Sequence, residues 1–356
     1  IKGGIKIMKM KVAVMEDIKK MSVKEMDVPE VGAGEVLVKI YQCNICTTDW
    51  QTWAGLRKSQ GRKLPWVPGH EMSGEIIEIG ENVRPELKVG MHVGFIAQGS
   101  RACGECFYCR MGHTSRCLNK PKQIEIDGIE GYFGMAQYFV VNSKRVLKLG
   151  DDLPYEEGGY LEPTSTAVHG IKRLRVKPND NVLVIGAGNL GLVNAQVAKI
   201  YGGNVLVSEI NEERCKIAQS LGLATINPSK EDIAKRVEEI TEGRGMDAVI
   251  LAVGNTKAND QGIQLLSTMG RILFFASGYP TPELNIDSNK IHYNEYELIG
   301  TYGADFSDYV IAADLLSKRL VKVDKMISYK VPINEVQRAF ELAATPGNYR
   351  VSVSMW

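Results

Sequence analysis

The chain has 356 residues, 44% of them apolar and 24% charged, and its 43 basic and 42 acidic side chains leave a net charge of +1. That length exceeds what one hydrophobic core serves and predicts two domains. The even charge excludes a broad field able to draw in nucleic acid or an anionic membrane. No apolar run approaches the ~20 residues needed to span a bilayer, and the first ten residues hold no signal-peptide core. The expected setting is the cytoplasm and the expected partner a small molecule; residues 1–7 are left out of fold reasoning.

From Lys11 to about Arg145 the chain reads as short alternating apolar runs, "KVAVME", "EVLVKIYQC", "GEIIEIG", "GMHVGFIA" and "AQYFVVNSKRVLKL", broken by glycine and proline turns. This period predicts an irregular β domain. Within it, "YQCNICTTDWQ" carries Cys43 and Cys46, and "PGHEMSG" carries His70 and Glu71. Thiolate, imidazole and carboxylate form a set suited to Zn²⁺, and three protein ligands leave a position for water or substrate. Adjacent residues on a regular strand point to opposite faces, so His70 and Glu71 reach one ion only if the backbone turns sharply, as Pro68 and Gly69 permit. Otherwise Glu71 supports the site from behind, or shares duty with Glu162 of "GGYLEPTSTAVHG". A core cysteine and a satisfied histidine are the plain alternative.

Between those segments, "GLRKSQGRKLPW" places Arg57, Lys58, Arg62 and Lys63 on one loop. A solvated basic loop is the default reading. The sharper one is recognition of a phosphorylated or carboxylated substrate, because guanidinium groups clamp such anions. Trp50, Trp53 and Trp66 are expected to line or support the site, with carbohydrate stacking as a further reading.

"CGECFYCRMGHTSRC" puts Cys103, Cys106, Cys109 and Cys117 within fifteen residues, out of seven cysteines in the chain. Disulfides do not persist in a reducing compartment, and thiolates at this spacing converge on one tetrahedral Zn²⁺ with no open position, which predicts a structural centre. Free thiols and an iron–sulfur cluster are the alternatives, but no proline follows Cys117 and no second cysteine run exists. His113 is an unneeded further ligand; Cys43 and Cys215 read as buried small hydrophobes; His92 and His292 have no motif partner. Arg101, Arg110, Arg116 and Lys120 around the cysteines lack the interleaved aromatics of a nucleic-acid face.

After Asp151 the texture changes to alternating β and α. "TSTAVHGIKRL" predicts a helix, followed by strand "NVLVI", a glycine turn, a helix, strand "NVLVSE" and a helix. Further on come "ATIN", a helix over 229–242, strand "DAVILAVG", a helix near 258–267, and strands "GRILFFASG" and "ELIGTYG". This order implies a doubly wound parallel sheet. A helix around Tyr309–Ser317 and the extended "MISYKVP" return to the first domain. Gly186, Gly188 and Gly191 form GxGxxG directly between strand and helix: a tight turn, a close backbone approach to pyrophosphate, and close helix–strand packing. The helix N-terminus then faces the phosphates. Glu209, at the end of the next strand, accepts from ribose hydroxyls and repels a 2′-phosphate, which favours NAD over NADP, with Arg214 nearby as the opposing signal.

Taken together, "NICTTD", "GHE", the four-cysteine lobe, the "EP" at Glu162 and the GxGxxG resemble the zinc-dependent medium-chain alcohol and polyol dehydrogenases, over almost the whole chain. The resemblance implies a GroES-like β catalytic domain over 8–160, with the zinc lobe at about 98–120, completed by 304–356. It implies a Rossmann domain over 161–303 and catalysis in the cleft between the two. Glu162, where alcohol dehydrogenases of the older type carry cysteine, points to the polyol, sorbitol and threonine dehydrogenase branch. By the same resemblance Cys46, His70, Glu71 and Glu162 serve the catalytic zinc, Thr48 hands on the substrate proton, Leu190 lies beside the nicotinamide nucleotide, and Glu209 and Arg214 hold the adenosine end. Gln51 stands where many relatives carry a relay histidine, so the proton leaves through water, Asp49 or the cofactor ribose. His169 matches a position near the domain junction.

The expected activity is hydride transfer from a secondary hydroxyl of a polyol or sugar-like alcohol to NAD, at a Lewis-acid site that lowers the hydroxyl pKa. L-Threonine 3-dehydrogenase is the alternative within enzymes. A nucleotide-binding sensor or zinc-lobe interaction module without catalysis is the alternative outside them, marked by loss of metal-site residues that are present here. A homodimer or homotetramer is expected, as in relatives.

Overall fold

The computed structural model describes residues 8–57, 63–96, 102–119 and 123–356. Lys58, Arg62, Arg101 and Lys120 lie outside the described residues. Contacts divide the chain into two compact units, 1–162 with 305–319 and 323–356, and 163–304 with 320–322. The short excursion at 320–322 belongs with the second unit because Gln196 pairs with Lys322 twice. Its Oε1 accepts the Lys322 N–H at 2.8 Å and its Nε2 donates to the Lys322 carbonyl at 3.0 Å.

The first unit is built on two sheets. One runs in the order Lys20–Asp27, Lys9–Asp17, Trp66–Val67, Ile129–Gly131, Ile124–Ile126. The other runs Val146–Lys148, His92–Phe95, Glu71–Ile79, Glu35–Asn44, Arg350–Ser354, Ile327–Pro332, with Tyr138–Asn142 also pairing Glu35–Asn44. Alternation with period two buries one face of each strand, and Val14, Val36, Ile40, Ile76, Val351 and Phe340 are fully buried in the shared core. The last strand enters between two others, and its register places Ser352 opposite Asn44, which on its other side pairs with Glu71. Arg350, two residues along, therefore shares a sheet face with Ser352 and approaches Glu71.

Helices also sit in the first unit where the sequence reading predicts none. Thr47–Trp53 is helical because the Asp49 carboxylate folds back to accept the Cys46 N–H at 3.3 Å, closing the first turn. Phe107–Arg110, Tyr155–Gly158 and Val336–Ala344 are others. Trp53 and Trp66 are core residues, 5% and 1% exposed, so neither offers a stacking platform. His92 is buried as well, its Nδ1 3.0 Å from the Gly150 carbonyl.

The second unit carries a six-stranded, all-parallel sheet in the order Ala224–Ile226, Asn204–Ser208, Asn181–Ile185, Met246–Leu251, Leu266–Phe274, Glu297–Gly300. That is the doubly wound order, with near-continuous apolar strands covered on both faces. The predicted helices are present with shifted ends. The helix expected over 229–242 spans Ile233–Thr241, since Asp232 accepts the N–H groups of Ala234 and Lys235 and so sets its start. The one near 258–267 spans Thr256–Gln264, capped by Asn255, and the one around 309–317 begins at Phe306, behind Asp305. The strand before Glu209 stops at Ser208. Among the described residues no helix is long and apolar enough to cross a membrane.

The glycine turn shows why its residues are glycines. Gly186 has φ 102°, and a Cβ there would lie 2.6 Å from Val253 Cγ1; a Cβ on Gly191 would drive into the Gly186 carbonyl. Gly191→Ala is expected to lower the melting temperature by several degrees, as overpacking costs about 1–3 kcal/mol, and to abolish dinucleotide binding. Gly300→Ala, where a Cβ meets open space, should do neither. Thermal unfolding and dinucleotide fluorescence titration check both.

Candidate active site

The first unit brings Cys46, His70 and Glu71 together, with one ligand atom from each lying within 4.8 Å of the others. Cys46 caps the helix Thr47–Trp53; His70 and Glu71 stand where the turn at Gly69, φ 96°, runs into the strand Glu71–Ile79. A Cβ on Gly69 would come 2.8 Å from Cys43 Sγ, so the bend that lets two adjacent side chains converge needs glycine. His70 Nδ1 lies 3.5 Å from Asp49 Oδ2, and Asp49 is itself buried. Burial opposes protonation of His70, but Asp49, Cys46 and Glu162 outweigh it and hold its pKa well above the ordinary imidazole value.

Glu71 has other work. Its Oε2 accepts Arg350 Nε–H at 2.8 Å and its Oε1 accepts Nη2–H at 2.7 Å, with both side chains withdrawn from water. The same Nη2 lies 3.9 Å from Cys46 Sγ. A carboxylate forked onto guanidinium at both oxygens is committed to that partner. Glu162, at the start of the helix Leu161–Leu174, is close enough to His70 for each to shift the other's pKa. Desolvation raises its carboxyl to about 7, with His70 pulling the opposite way. The sulfur of Cys46, the His70 imidazole and the Glu71 carboxylate, gathered within 4.8 Å with Glu162 near His70, are donor types that fit Zn²⁺, which binds them at about 2.0–2.3 Å. Thr48, half-buried, sits two residues from Cys46 in the same helix. Arg350 escaped sequence reasoning because one arginine in the alternating run "RVSVS" has no local partner; its partner is 279 positions away.

In the lobe, the sulfurs of Cys103, Cys106, Cys109 and Cys117 all lie within 4.8 Å of one another. A tetrahedral ion with Zn–S bonds of about 2.3 Å sets its sulfurs about 3.8 Å apart, so the cluster fits one ion. Backbone N–H groups turn inward: Cys106 N–H points to Cys103 Sγ at 3.3 Å and Leu118 N–H to Cys106 Sγ at 3.5 Å. N–H groups of Leu118 and Cys109 pull the Cys106 thiol down to about 6, while burial pushes Cys109 up to about 12. Phe107, Met111 and Leu118 are exposed, so the lobe has little apolar interior and the sulfurs must do what a core does elsewhere. His113 turns away from them, its Nδ1 3.4 Å from Asp305 Oδ2, and Ser115 N–H donates to Asp305 Oδ1 at 2.9 Å.

In the second unit Gly188 caps the helix Asn189–Ile200, with Leu190 half-exposed in its first turn. Glu209 Oε2 accepts the Ala187 N–H inside the glycine turn at 2.7 Å, and Oε1 accepts the Asn211 N–H at 2.9 Å. Gly188 also has Arg214 as its neighbour, 4.0 Å from where a Cβ would stand. Cys43, Cys215 and His169 are buried.

The model of the alcohol dehydrogenase GroES-like domain matches residues 32–151, and that of the zinc-binding dehydrogenase matches residues 190–318. A D-arabitol-phosphate dehydrogenase of Enterococcus avium is 32% identical over 337 residues, 94% of this chain and 93% of its own. The chain belongs to the zinc-dependent medium-chain dehydrogenases. Within this family, an L-threonine 3-dehydrogenase of Pyrococcus horikoshii is 33% identical over 89% of this chain and 90% of its own. The crystal structure of galactitol-1-phosphate dehydrogenase from Escherichia coli matches with a TM-score of 0.81 and 25% identity, covering 97% of this dehydrogenase and 99% of that chain.

Two outcomes follow for this dehydrogenase. Arg350→Met strands a buried carboxylate and is expected to cost about 3–5 kcal/mol in unfolding free energy; Glu71→Gln combined with Arg350→Met should recover part of that, measured by denaturant unfolding. At the Cys46 centre of the metal-free protein, the raised pKa values of His70 and Glu162 mean that a cation must displace protons on entry. Acid favours the protonated forms, so zinc affinity there should fall about tenfold or more per pH unit between pH 8 and 6, as read by chelator competition.

Proposed function

We propose that this protein is a zinc-requiring polyol dehydrogenase that takes hydride from the carbon bearing a secondary hydroxyl of a polyol or sugar-like alcohol, with NAD as acceptor. The observation that carries the reading is the convergence of Cys46, His70 and Glu71 within 4.8 Å of one another, with Glu71 backed by Arg350 and Glu162 near His70 as the further donor. When bound, zinc supplies Lewis acidity and the nicotinamide supplies the hydride acceptor.

The side chains divide the remaining work. Thr48 Oγ1 takes the proton of the substrate hydroxyl and passes it on, a general acid–base role. Gln51 cannot titrate, and Asp49 is buried and engaged by His70 and the Cys46 N–H, so the proton leaves by water or the cofactor ribose. Arg350 neutralises Glu71 and keeps positive charge beside Cys46. In the second unit Gly186, Gly188 and Gly191 give the pyrophosphate its close backbone approach, and Glu209 supports NAD because a carboxylate at that place repels a 2′-phosphate. The lobe cysteines would hold a second, structural zinc. Two of the relatives described above are named for phosphorylated polyols, which extends the substrate class to polyol phosphates, with Arg57 and Lys63 as the described members of the basic loop.

The test is a panel of polyols, polyol phosphates and L-threonine followed by NADH absorbance. A polyol or its phosphate should turn over with NAD, and chelator or Cys46→Ser should cost at least about a thousandfold, the scale of losing electrostatic stabilisation at a reacting oxygen. Two zinc ions per chain are expected by metal analysis, and one in Cys46→Ser. Turnover of L-threonine alone would replace the polyol reading, and activity indifferent to Cys46→Ser would remove the zinc mechanism.

A further inference from the structure

We propose that the stretch Gly131–Gly134, "GYFG", is a cradle for the metal-binding segment, and that Tyr132 is a positioning residue that sets the tilt of the His70 ring; this rests on the zinc reading above. The two segments are laced together residue by residue. Trp66 and Val67 pair in parallel with Glu130 and Gly131. Beyond that ladder, Tyr132 N–H donates to the Val67 carbonyl at 2.7 Å, Gly134 N–H to Gly69 at 3.1 Å and Met135 N–H to Pro68 at 3.2 Å. Neither glycine admits a side chain: a Cβ on Gly131 would lie 2.5 Å from Val67, and one on Gly134 would strike the Gly69 carbonyl. Between them Phe133 is fully buried at φ 57°, a left-handed conformation that a residue with a Cβ adopts only when its surroundings impose it.

This lacing puts the Tyr132 ring edge-to-face on His70, with centroids 5.7 Å apart and planes at 89°. Trp66 backs Tyr132 in turn, at 4.9 Å and 80°. Both rings are buried, at 8% and 1% exposure, so they have no freedom to swing. Asp49 stands 3.5 Å from His70 Nδ1 and Cys46 is a second close neighbour. Neither fixes the tilt of the imidazole plane, and a ring standing perpendicular to it at 5.7 Å restricts that tilt. A donor lone pair aimed off the metal weakens the bond, which is why groups that orient a ligand commonly matter about 10–100-fold to metal affinity.

The test uses the full chain with the lobe metal left in place and cobalt(II) exchanged into the His70 centre, read by its visible absorption and by chelator competition. Tyr132→Phe keeps the ring and should match the wild type. Tyr132→Leu should shift the visible band and weaken cobalt binding about 10–100-fold, with the melting temperature of the lobe-loaded protein little changed. Gly134→Ala, which pushes on the Gly69 carbonyl with Tyr132 intact, should shift the band in the same way and carries the test if Leu at 132 does not fold. A wild-type band and affinity in both Tyr132→Leu and Gly134→Ala would overturn the proposal. So would a Tyr132→Phe variant as impaired as Tyr132→Leu, since the hydroxyl and not the ring would then be at work. A wild type whose cobalt spectrum equals that of His70→Ala would remove the zinc reading itself, a failure visible before any Tyr132 variant is made.

Discussion

Glu71 and Arg350 face each other inside the first unit, their side chains 0% and 3% exposed, joined by two hydrogen bonds of 2.8 and 2.7 Å. Ions taken so far from water cost several kcal/mol each in lost hydration, repaid only by close geometry and a full set of partners. The forked pairing supplies that geometry, and it can form only when the last strand, Arg350–Ser354, sits between Glu35–Asn44 and Ile327–Pro332 in the observed register. A slip of one residue would turn Arg350 to the other face and leave a carboxylate stranded in the core. The pair thus ties the end of the chain to the segment that carries His70. It also holds Glu71 beside Cys46 and His70, where the acidic side chains Asp49, Glu71 and Glu162 gather around one guanidinium, an environment suited to a divalent cation.

The two candidate metal centres share cysteine as a donor but differ in their other donors and in their surroundings. In the lobe, four sulfurs converge with backbone N–H groups aimed at them, Phe107, Met111 and Leu118 are exposed, and anchoring to the rest of the unit comes from Asp305 through Ser115. Such a loop has little core to lose, and a metal held by its four sulfurs would cross-link it. At the Cys46 centre the surroundings are already built: Cys46 caps a helix, His70 follows a glycine bend, Glu71 opens a sheet strand and Glu162 lies in the first turn of another helix. A frame of that kind allows a coordination position to stay open, because the protein and not the metal holds the shape.

In the second unit the same logic runs through backbone sterics. Gly186 and Gly191 cannot carry side chains because the turn folds on itself, and Glu209 stitches that turn to the next by accepting the N–H groups of Ala187 and Asn211. The acid whose spacing predicts a ribose partner thus also holds the glycine turn in place.

Much of this was legible in the sequence, and the reason is spacing. Cys103, Cys106, Cys109 and Cys117 are neighbours in the chain, as are Gly186, Gly188 and Gly191, and local geometry alone brings such residues together. The alternation of β and α after Asp151 likewise specifies a parallel sheet, because each unit buries its own apolar face on the next. Helix ends were displaced where a single capping side chain, Asp232 or Asn255, outweighed the apolar period, and the helix Thr47–Trp53 was hidden because its cap is Asp49 reaching back to Cys46. What only tertiary structure decided was the pairing of Glu71 with Arg350, the burial of Trp53 and Trp66, and the approach of Tyr132 to His70. Each depends on strand register and on partners tens to hundreds of residues away, and no local pattern of side chains encodes which remote charge or ring will arrive.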